Sequence, residues 1–297
     1  MLNKHRIRTD FSDAADTYDA AAVVQQEICN RALERLQMLK LQPQTILDLG
    51  SGTGKSVRGL QTRFPESQVI ASDIAMPMLV HAKQMQAAQT VCCDAEQLAI
   101  ADQSVDLIFS TSTFQWCENI NQVFIECARV LKQDGVLVFT TFGPDTLKEL
   151  RHSWAQVDDH MHVHDFIDMH HIGDLLLANH YVDPVVDMEL ITLEYSKASQ
   201  LLRDLKATGS RGKFVSQSTS QTTSGHNSGH SNGASAGLMG KKKFQQFELA
   251  YEEYRQDNGL LPASYEVIYG YARKHARNNI SVAKDEVRIA IDQIKKT

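Results

Sequence analysis

The chain has 297 residues, 42% of them hydrophobic, enough for one large domain or one domain with an insertion. Its formal net charge of −6 argues against a general nucleic-acid binder, which would carry a basic face. No apolar run approaches the ~20 residues that span a bilayer, and the polar stretch Met1 to Asp10 lacks the apolar centre of a secretory signal.

Phe11 to Leu41 is expected to be helical. Phe11, Ala14, Ala15, Tyr18 and Ala22, then Val24, Ile28, Ala32, Leu33 and Leu36, recur at helical spacing. This is either an amphipathic layer packed on the domain or a lid that places Tyr18 over a ligand.

Ile46 to Leu49 is a short apolar run of the kind found in a buried parallel strand. Gly50-Ser51-Gly52-Thr53-Gly54 follows, and Lys55 to Arg63 reads as a helix ending before Pro65. A glycine turn between strand and helix offers N–H groups to an anion or carboxylate and lets a ligand approach the main chain. The dinucleotide pattern G-x-G-x-x-G fails because Lys55 takes its sixth position. The phosphate loop G-x-x-x-x-G-K-[ST] fails because its first glycine would fall on Leu49. D-x-G-x-G-x-G, beginning at Asp48, resembles motif I of class I S-adenosylmethionine (SAM) methyltransferases.

Gln68 to Asp73 reads as a second strand ending in an acid, placed to accept from ribose hydroxyls in a nucleotide-binding α/β fold. Pro77 suits the first turn of the next helix, whose buried face is Met78, Leu79, Ala82 and Met85. Thr90 to Cys93 is a third strand, followed by Asp94-Ala95-Glu96, which meets the adenine if the SAM fold holds. Ser104 to Ser110 is a fourth. Thr111 to Trp116 comes next, beyond the carboxyl end of a strand, so it should line the pocket. Phe114 and Trp116 suit core or pocket wall, and their position favours the wall.

Ile120 to Leu131 reads as a helix closed by Lys132 to Gly135, and Val136 to Phe142 as a fifth strand. Strand and helix alternating in this way imply a doubly wound parallel sheet. His152, His160, His162, His164, His170, His171 and His180 lie close in sequence. No cysteine pair accompanies them, so surface and loop histidines are expected and no metal. The adjacent Cys92 and Cys93 and the remaining thiols are expected reduced, in a cytoplasmic protein.

Ile172 to Ala178 is a helix and Tyr181 to Tyr195 a sixth strand broken at Pro184. Ser196 to Ala207 is helical. Residues 215–237 are rich in Ser, Thr, Gly, Asn and Gln and are expected to be a disordered insertion. Lys241 to about Asp257 is a helix, and Tyr265 to Ala272 a last, antiparallel strand. The tail after Lys274 is charged. The resulting division is a core with an N-terminal lid over 1–195, a helical cap over 196–258, the last strand over 259–275 and a tail over 276–297.

The resemblance reaches further than the glycine turn. F-x-x-A-A-x-x-Y (Phe11 to Tyr18), D-L-G-S-G-T-G, Met78-Leu79-Val80 and Phe114-Gln115-Trp116-Cys117 match the malonyl-(acyl-carrier protein) O-methyltransferases of biotin synthesis. So do F-T-T-F-G-P-D-T-L-K-E-L-R (Phe139 to Arg151), Leu205-Lys206-x-x-Gly209 and L-P-A-S-Y-E-V-I-Y-G (Leu261 to Gly270). The long Ser/Thr/Gly insertion and the charged tail depart from that pattern.

The resemblance implies a Rossmann-like class I methyltransferase with a seven-stranded, mostly parallel sheet. The implied reaction moves a methyl from SAM to the free carboxylate of malonyl on acyl carrier protein, with malonyl-CoA as an alternative acceptor. The implied SAM contacts are Asp48, Gly50, Ser51, Gly52, Gly54, Asp73, Ile74, Met78, Asp94, Ala95, Glu96, Ser110 and Thr111. Tyr18 is the expected catalytic donor. Phe114, Gln115, Trp116, Arg151 and Arg203 are the expected acceptor contacts. The carrier is acidic, so Lys206, Arg211, Lys213, Lys241, Lys242 and Lys243 are the expected docking residues. A monomer that binds neither nucleic acid nor membrane is expected. Two other readings stay open: a SAM enzyme acting on another carboxylate or on carbon, and a non-catalytic SAM-fold assembly factor.

Overall fold

The computed structural model describes residues 3–85, 87, 89–210 and 240–275. Three helices come first: α1 (Lys4–Ala14), α2 (Tyr18–Ala21) and α3 (Val23–Gln37). The alternating part follows as β1 (Thr45–Leu49), α4 (Lys55–Arg63), β2 (Gln68–Asp73), α5 (Met76–Gln84), β3 (Gln89–Cys92), β4 (Val105–Ser110), α6 (Ile120–Val130) and β5 (Leu131–Phe142). The chain then continues through α7 (Lys148–Ala155), α8 (Met169–Ala178), β6 (Tyr181–Tyr195), α9 (Ala198–Ala207), α10 (Lys241–Glu252) and β7 (Leu261–Lys274).

One seven-stranded sheet results, in the order β3-β2-β1-β4-β5-β7-β6. The pairs from β3 through β5 are parallel, and β7 runs antiparallel to both β5 and β6. This is the expected doubly wound sheet with a reversed last strand. Successive strand residues face opposite layers. Ile46, Val69 and Leu107 meet α3 and α4 in one core, while Leu47, Ile70 and Ile108 meet α6 and α8 in the other.

Several boundaries differ from expectation. The first helix starts at Lys4, capped by the Asn3 side chain accepting from the Arg6 N–H, so it precedes the expected Phe11. Helix α6 ends at Val130 and β5 begins at once. Lys132 to Gly135 is a strand irregularity, because the pairing jumps from Val105–Leu131 to Leu107–Val136 with Asp134 at φ 59°. The break near Pro184 is a similar shift inside a continuous β6. Helix α10 stops at Glu252, short of Asp257, and the following turn is held by Arg255, which donates to Glu252 and to the Gly259 carbonyl. Strand β7 runs beyond Tyr265–Ala272 at both ends because β6 pairs with it from Leu261 to Lys274, while β5 pairs with it only from Val267 to Arg273. The 215–237 segment and the tail beyond His275 lie outside the described residues.

The two late sequence segments meet. The turn after β5 sits on β7: Gly143 N donates to the Glu266 carbonyl, Asp145 N to the Glu266 carboxylate and Leu147 N to the Ser264 carbonyl. The buried Glu149 accepts from both the N–H and the hydroxyl of Ser264, at 3.1 and 2.5 Å. Helix α9 packs on α2 and β6, and α10 packs on α7 and α9.

Candidate functional site: a cleft at the carboxyl ends of the strands

The turn after β1 is pinned to β2. Gly50 N and Ser51 N both donate to the Ser72 carbonyl, Gly52 N to Asp73 Oδ2 at 3.0 Å, and Gly54 N to the Ser51 carbonyl. These amides are spent inside the protein, so the turn does not offer them to an anion as expected from the sequence. The glycines answer to space instead. A Cβ on Gly50, at φ 73°, would strike the Thr113 side chain at 2.1 Å. A Cβ on Gly52, at φ 52°, would stand in open space over the cleft.

A cleft opens beside this turn, at the carboxyl ends of the strands. Among the expected SAM contacts, Gly50, Gly52, Asp73, Ile74, Met78, Asp94, Ala95, Glu96 and Thr111 line it. Tyr18 and Trp116 line it as well. Asp73 is half-buried; burial pushes its carboxyl up, against the pull of the N–H groups of Ala75 and Gly52. Each of its oxygens keeps a lone pair that a ribose hydroxyl can use.

Four expected contacts lie beneath the surface of the cleft. Asp48 is buried under the turn and takes the Ser56 hydroxyl at 2.5 Å, which ties β1 to the first turn of α4. Burial pushes its carboxyl up to about 7. Ser51 is buried, Gly54 begins α4, and Ser110 donates to the Leu49 carbonyl at 2.7 Å. These residues shape the turn from below.

The N-terminal segment lies against the cleft. Lys4, Ile7 and Phe11 from α1 line the cleft beside Tyr18. Phe11 meets Trp116 edge-on at 5.1 Å, and Thr53 of the turn donates to Asp19 at 2.6 Å. Lys4 Nζ reaches Asp94 at 2.6 Å and Glu96 at 3.0 Å. The sequence reading singled out Tyr18 and missed Lys4 and Ile7. Extending the spacing of Phe11 back by four and seven positions would have found both. Burial, and after it the negative Asp73, push the Tyr18 phenol up, so it stays a hydrogen-bond donor at neutral pH. Leu49, Cys93, Ser112, Thr113 and Cys117 complete the lining. The Ser112 hydroxyl is buried with no protein partner, and Ser112 sits at φ 53°.

The expected acceptor residues divide. Trp116 is in the cleft. Phe114 is a core aromatic against Phe124 and Phe139, and together with Gln115 it borders a second cavity beyond Cys117. Neither arginine reaches the cleft. Arg151 donates to the carbonyls of Pro144 and Thr146, and Arg203 is exposed on α9. Among the expected docking residues, Lys206, Lys241 and Lys242 are exposed, whereas Lys243 pairs with Asp158 at 2.8 Å. Arg211 and Lys213 lie outside the described residues.

A methyltransferase-domain family model matches residues 47–139, from β1 through most of β5. The malonyl-(acyl-carrier protein) O-methyltransferase of Gallionella capsiferriformans is 41% identical over 303 residues, covering 97% of this chain and 98% of that one. The corresponding protein of a Methylovorus species is 44% identical over 287 residues, covering 92% and 90%. The chain belongs to the malonyl-(acyl-carrier protein) O-methyltransferase family. This methyltransferase uses SAM as its donor. Its fold is shared by a Haemonchus contortus phosphoethanolamine N-methyltransferase solved with S-adenosylhomocysteine. That match has TM-score 0.50 and 16% identity and covers 83% of this chain and 53% of the other. Among the described residues, no helix is long and apolar enough to cross a membrane.

Proposed function

We propose that this enzyme methylates the free carboxylate of a malonyl group carried as a thioester on acyl carrier protein. The ester masks a charge, so that chain elongation of the fatty-acid type can proceed toward pimeloyl and biotin. The observation that carries the reading is the extent of the family match. At 41% identity it spans 97% of the chain, so it takes in the lid, the cleft and the β5–β7 staple together.

The cleft suits the donor. Asp73 would accept from the ribose, Asp94 and the Ala95 backbone would meet the adenine, and the open side of Gly52 would admit the amino-acid part. Bound SAM would supply a methyl on a positively charged sulfur, and the acceptor oxygen would take that methyl as the carbon–sulfur bond breaks with its electron pair left on sulfur. No proton moves, because a carboxylate with a pKa near ~4 is already ionised at pH 7. The protein therefore needs no general base. Its work is alignment and exclusion of water, worth on the order of 7–11 kcal/mol when reactants are well oriented. Phe11, Trp116 and Ile7 keep water from the cleft, and the Tyr18 hydroxyl donates to the acceptor oxygen that does not attack.

Lys206, Lys241 and Lys242 make the exposed face for an acidic carrier, on α9 and α10, the pair of helices that forms the cap. The test is methyl transfer from labelled SAM to malonyl-carrier protein, malonyl-CoA and free malonate side by side. Fastest turnover of the carrier-bound form is expected. Equal turnover of free malonate would remove the carrier from the reading.

A further inference from the structure

The second cavity adjoins the donor cleft at Cys117, which lines both. Its inner side comes from Gln115 and from Thr141 and Phe142 at the end of β5. Its outer wall is the loop carrying Met161, His164 and Phe166. A polar thread joins the two spaces: Thr141 donates to Gln115 Oε1 at 3.4 Å, and Gln115 Nε2 donates to the carbonyl of Ser112, a lining residue of the donor cleft.

The outer wall is fixed from behind. Asp158 accepts from His162 Nε2 at 2.8 Å, from Lys243 Nζ at 2.8 Å and from the His160 N–H at 3.2 Å. The His162 ring stacks on Trp154 at 4.1 Å, and Trp154 stacks on Phe247 of α10 at 4.3 Å. Burial opposes the charge on Asp158, but its hydrogen bonds outweigh burial and hold the carboxyl below the usual range. One carboxylate thus ties the loop to α10, next to the exposed Lys241 and Lys242.

We propose that the second cavity receives the thioester end of the carrier-borne malonyl group, and that Asp158 is a positioning residue that sets its outer wall. The inference rests on the methyl-transfer reading above. The apolar walls at Phe142, Met161 and Phe166 suit an uncharged thioester chain, while the carboxylate end points past Cys117 toward the donor. A carrier protein seated on Lys241 and Lys242 would touch the helix turn that also holds Asp158.

Four variants test this with malonyl-carrier protein as substrate, alongside SAM titration and thermal melting. Met161 is exposed at the rim, so Met161→Trp should fold and narrow the cavity. It should raise the acceptor KM by about tenfold or more and leave SAM affinity within about twofold. Asp158→Ala should raise acceptor KM in the same way with a smaller change in kcat. Lys243→Gln, a milder cut of the same clasp, should follow in the same direction, and Asp158→Glu should recover part of the loss. Wild-type acceptor KM in Met161→Trp would overturn the cavity assignment. Asp158→Ala and Lys243→Gln variants that lose SAM affinity and acceptor affinity together, in step with a lowered Tm, would reduce Asp158 to a structural ion pair. A wild type inert toward malonyl-carrier protein would sink the functional reading and this inference with it. That failure shows in the parent enzyme rather than in the variants.

Discussion

Lys4, on the first turn of α1, lies across the cleft from β1 and holds Asp94 and Glu96 at 2.6 and 3.0 Å. Ion pairs near the surface add about 0–1 kcal/mol to folding. Here the partly buried pair fastens a segment whose other cleft-lining residues, Ile7, Phe11 and Tyr18, are apolar or aromatic. The consequence is kinetic. Lys4→Gln should speed both SAM association and dissociation several-fold, with a smaller change in the equilibrium constant, because both steps require α1 to lift. Stopped-flow quenching of Trp116, which also lines the cleft, would follow it. Unchanged rates in both directions would show that α1 does not gate the donor.

Asp73 carries a second prediction. Its carboxylate takes the Gly52 and Ala75 N–H groups and still faces the cleft. Asp73→Ala removes the proposed acceptor for the ribose and frees the turn that Gly52 belongs to. SAM affinity should fall by at least about tenfold, the scale of one lost hydrogen bond to a charged group. Isothermal titration decides it, and a wild-type dissociation constant would take Asp73 out of the sugar site.

Much of this site could be read from the sequence, for a physical reason. The β1 turn and the acid after β2 are local: a short apolar run, alternate glycines and an acid one βαβ unit later are fixed by chain geometry. The same logic placed Thr111 and Trp116 at the cleft, whereas Met78 came from the family resemblance. What failed was long-range. Spacing could not reveal that Ser72 and Asp73 consume the amides of the turn. Nor could it show that Arg151 folds back onto its own loop, donating to the Pro144 and Thr146 carbonyls. Lys243 looked free for a partner because Asp158, 85 positions earlier, is brought to it only by the fold. Boundaries slipped where tertiary pairing extends a strand, as in β7, where Pro262 near one end and Arg273-Lys274 at the other gave no local strand signal.

The late segments that marked the family most specifically meet in the Glu149–Ser264 contact rather than in the donor cleft. Glu149 is buried and is the acceptor for two Ser264 groups. Glu149→Ala leaves both donors unmet in the core, which should cost roughly 3 kcal/mol. For a chain of this size that is about 6–10 °C in Tm. Glu149→Gln keeps one acceptor and should lose less. SAM affinity measured well below the lowered Tm should stay close to wild type. An undiminished Tm in the alanine variant would mean that the β5–β7 ladder alone holds the turn.

Asp48 ties function to stability through pH. It is 1% exposed, and burial pushes its carboxyl up to about 7, against the opposing hydrogen bond from Ser56. The unfolded chain releases that proton near ~4. Between those values the folded state binds more protons than the unfolded state, so stability contributed by Asp48 falls as pH rises through the window and is flat above it. Asp48→Asn cannot ionise and still accepts from Ser56. Ligand-free Asp48→Asn should therefore melt several degrees above wild type at pH 8 and within about 2 °C of it at pH 4. The negative Asp73 adds to the rise at Asp48, so relieving their repulsion in the variant works in the same direction. A variant less stable than wild type at pH 8 would mean that the buried carboxylate has charge partners strong enough to favour ionisation, reversing the sign of the argument.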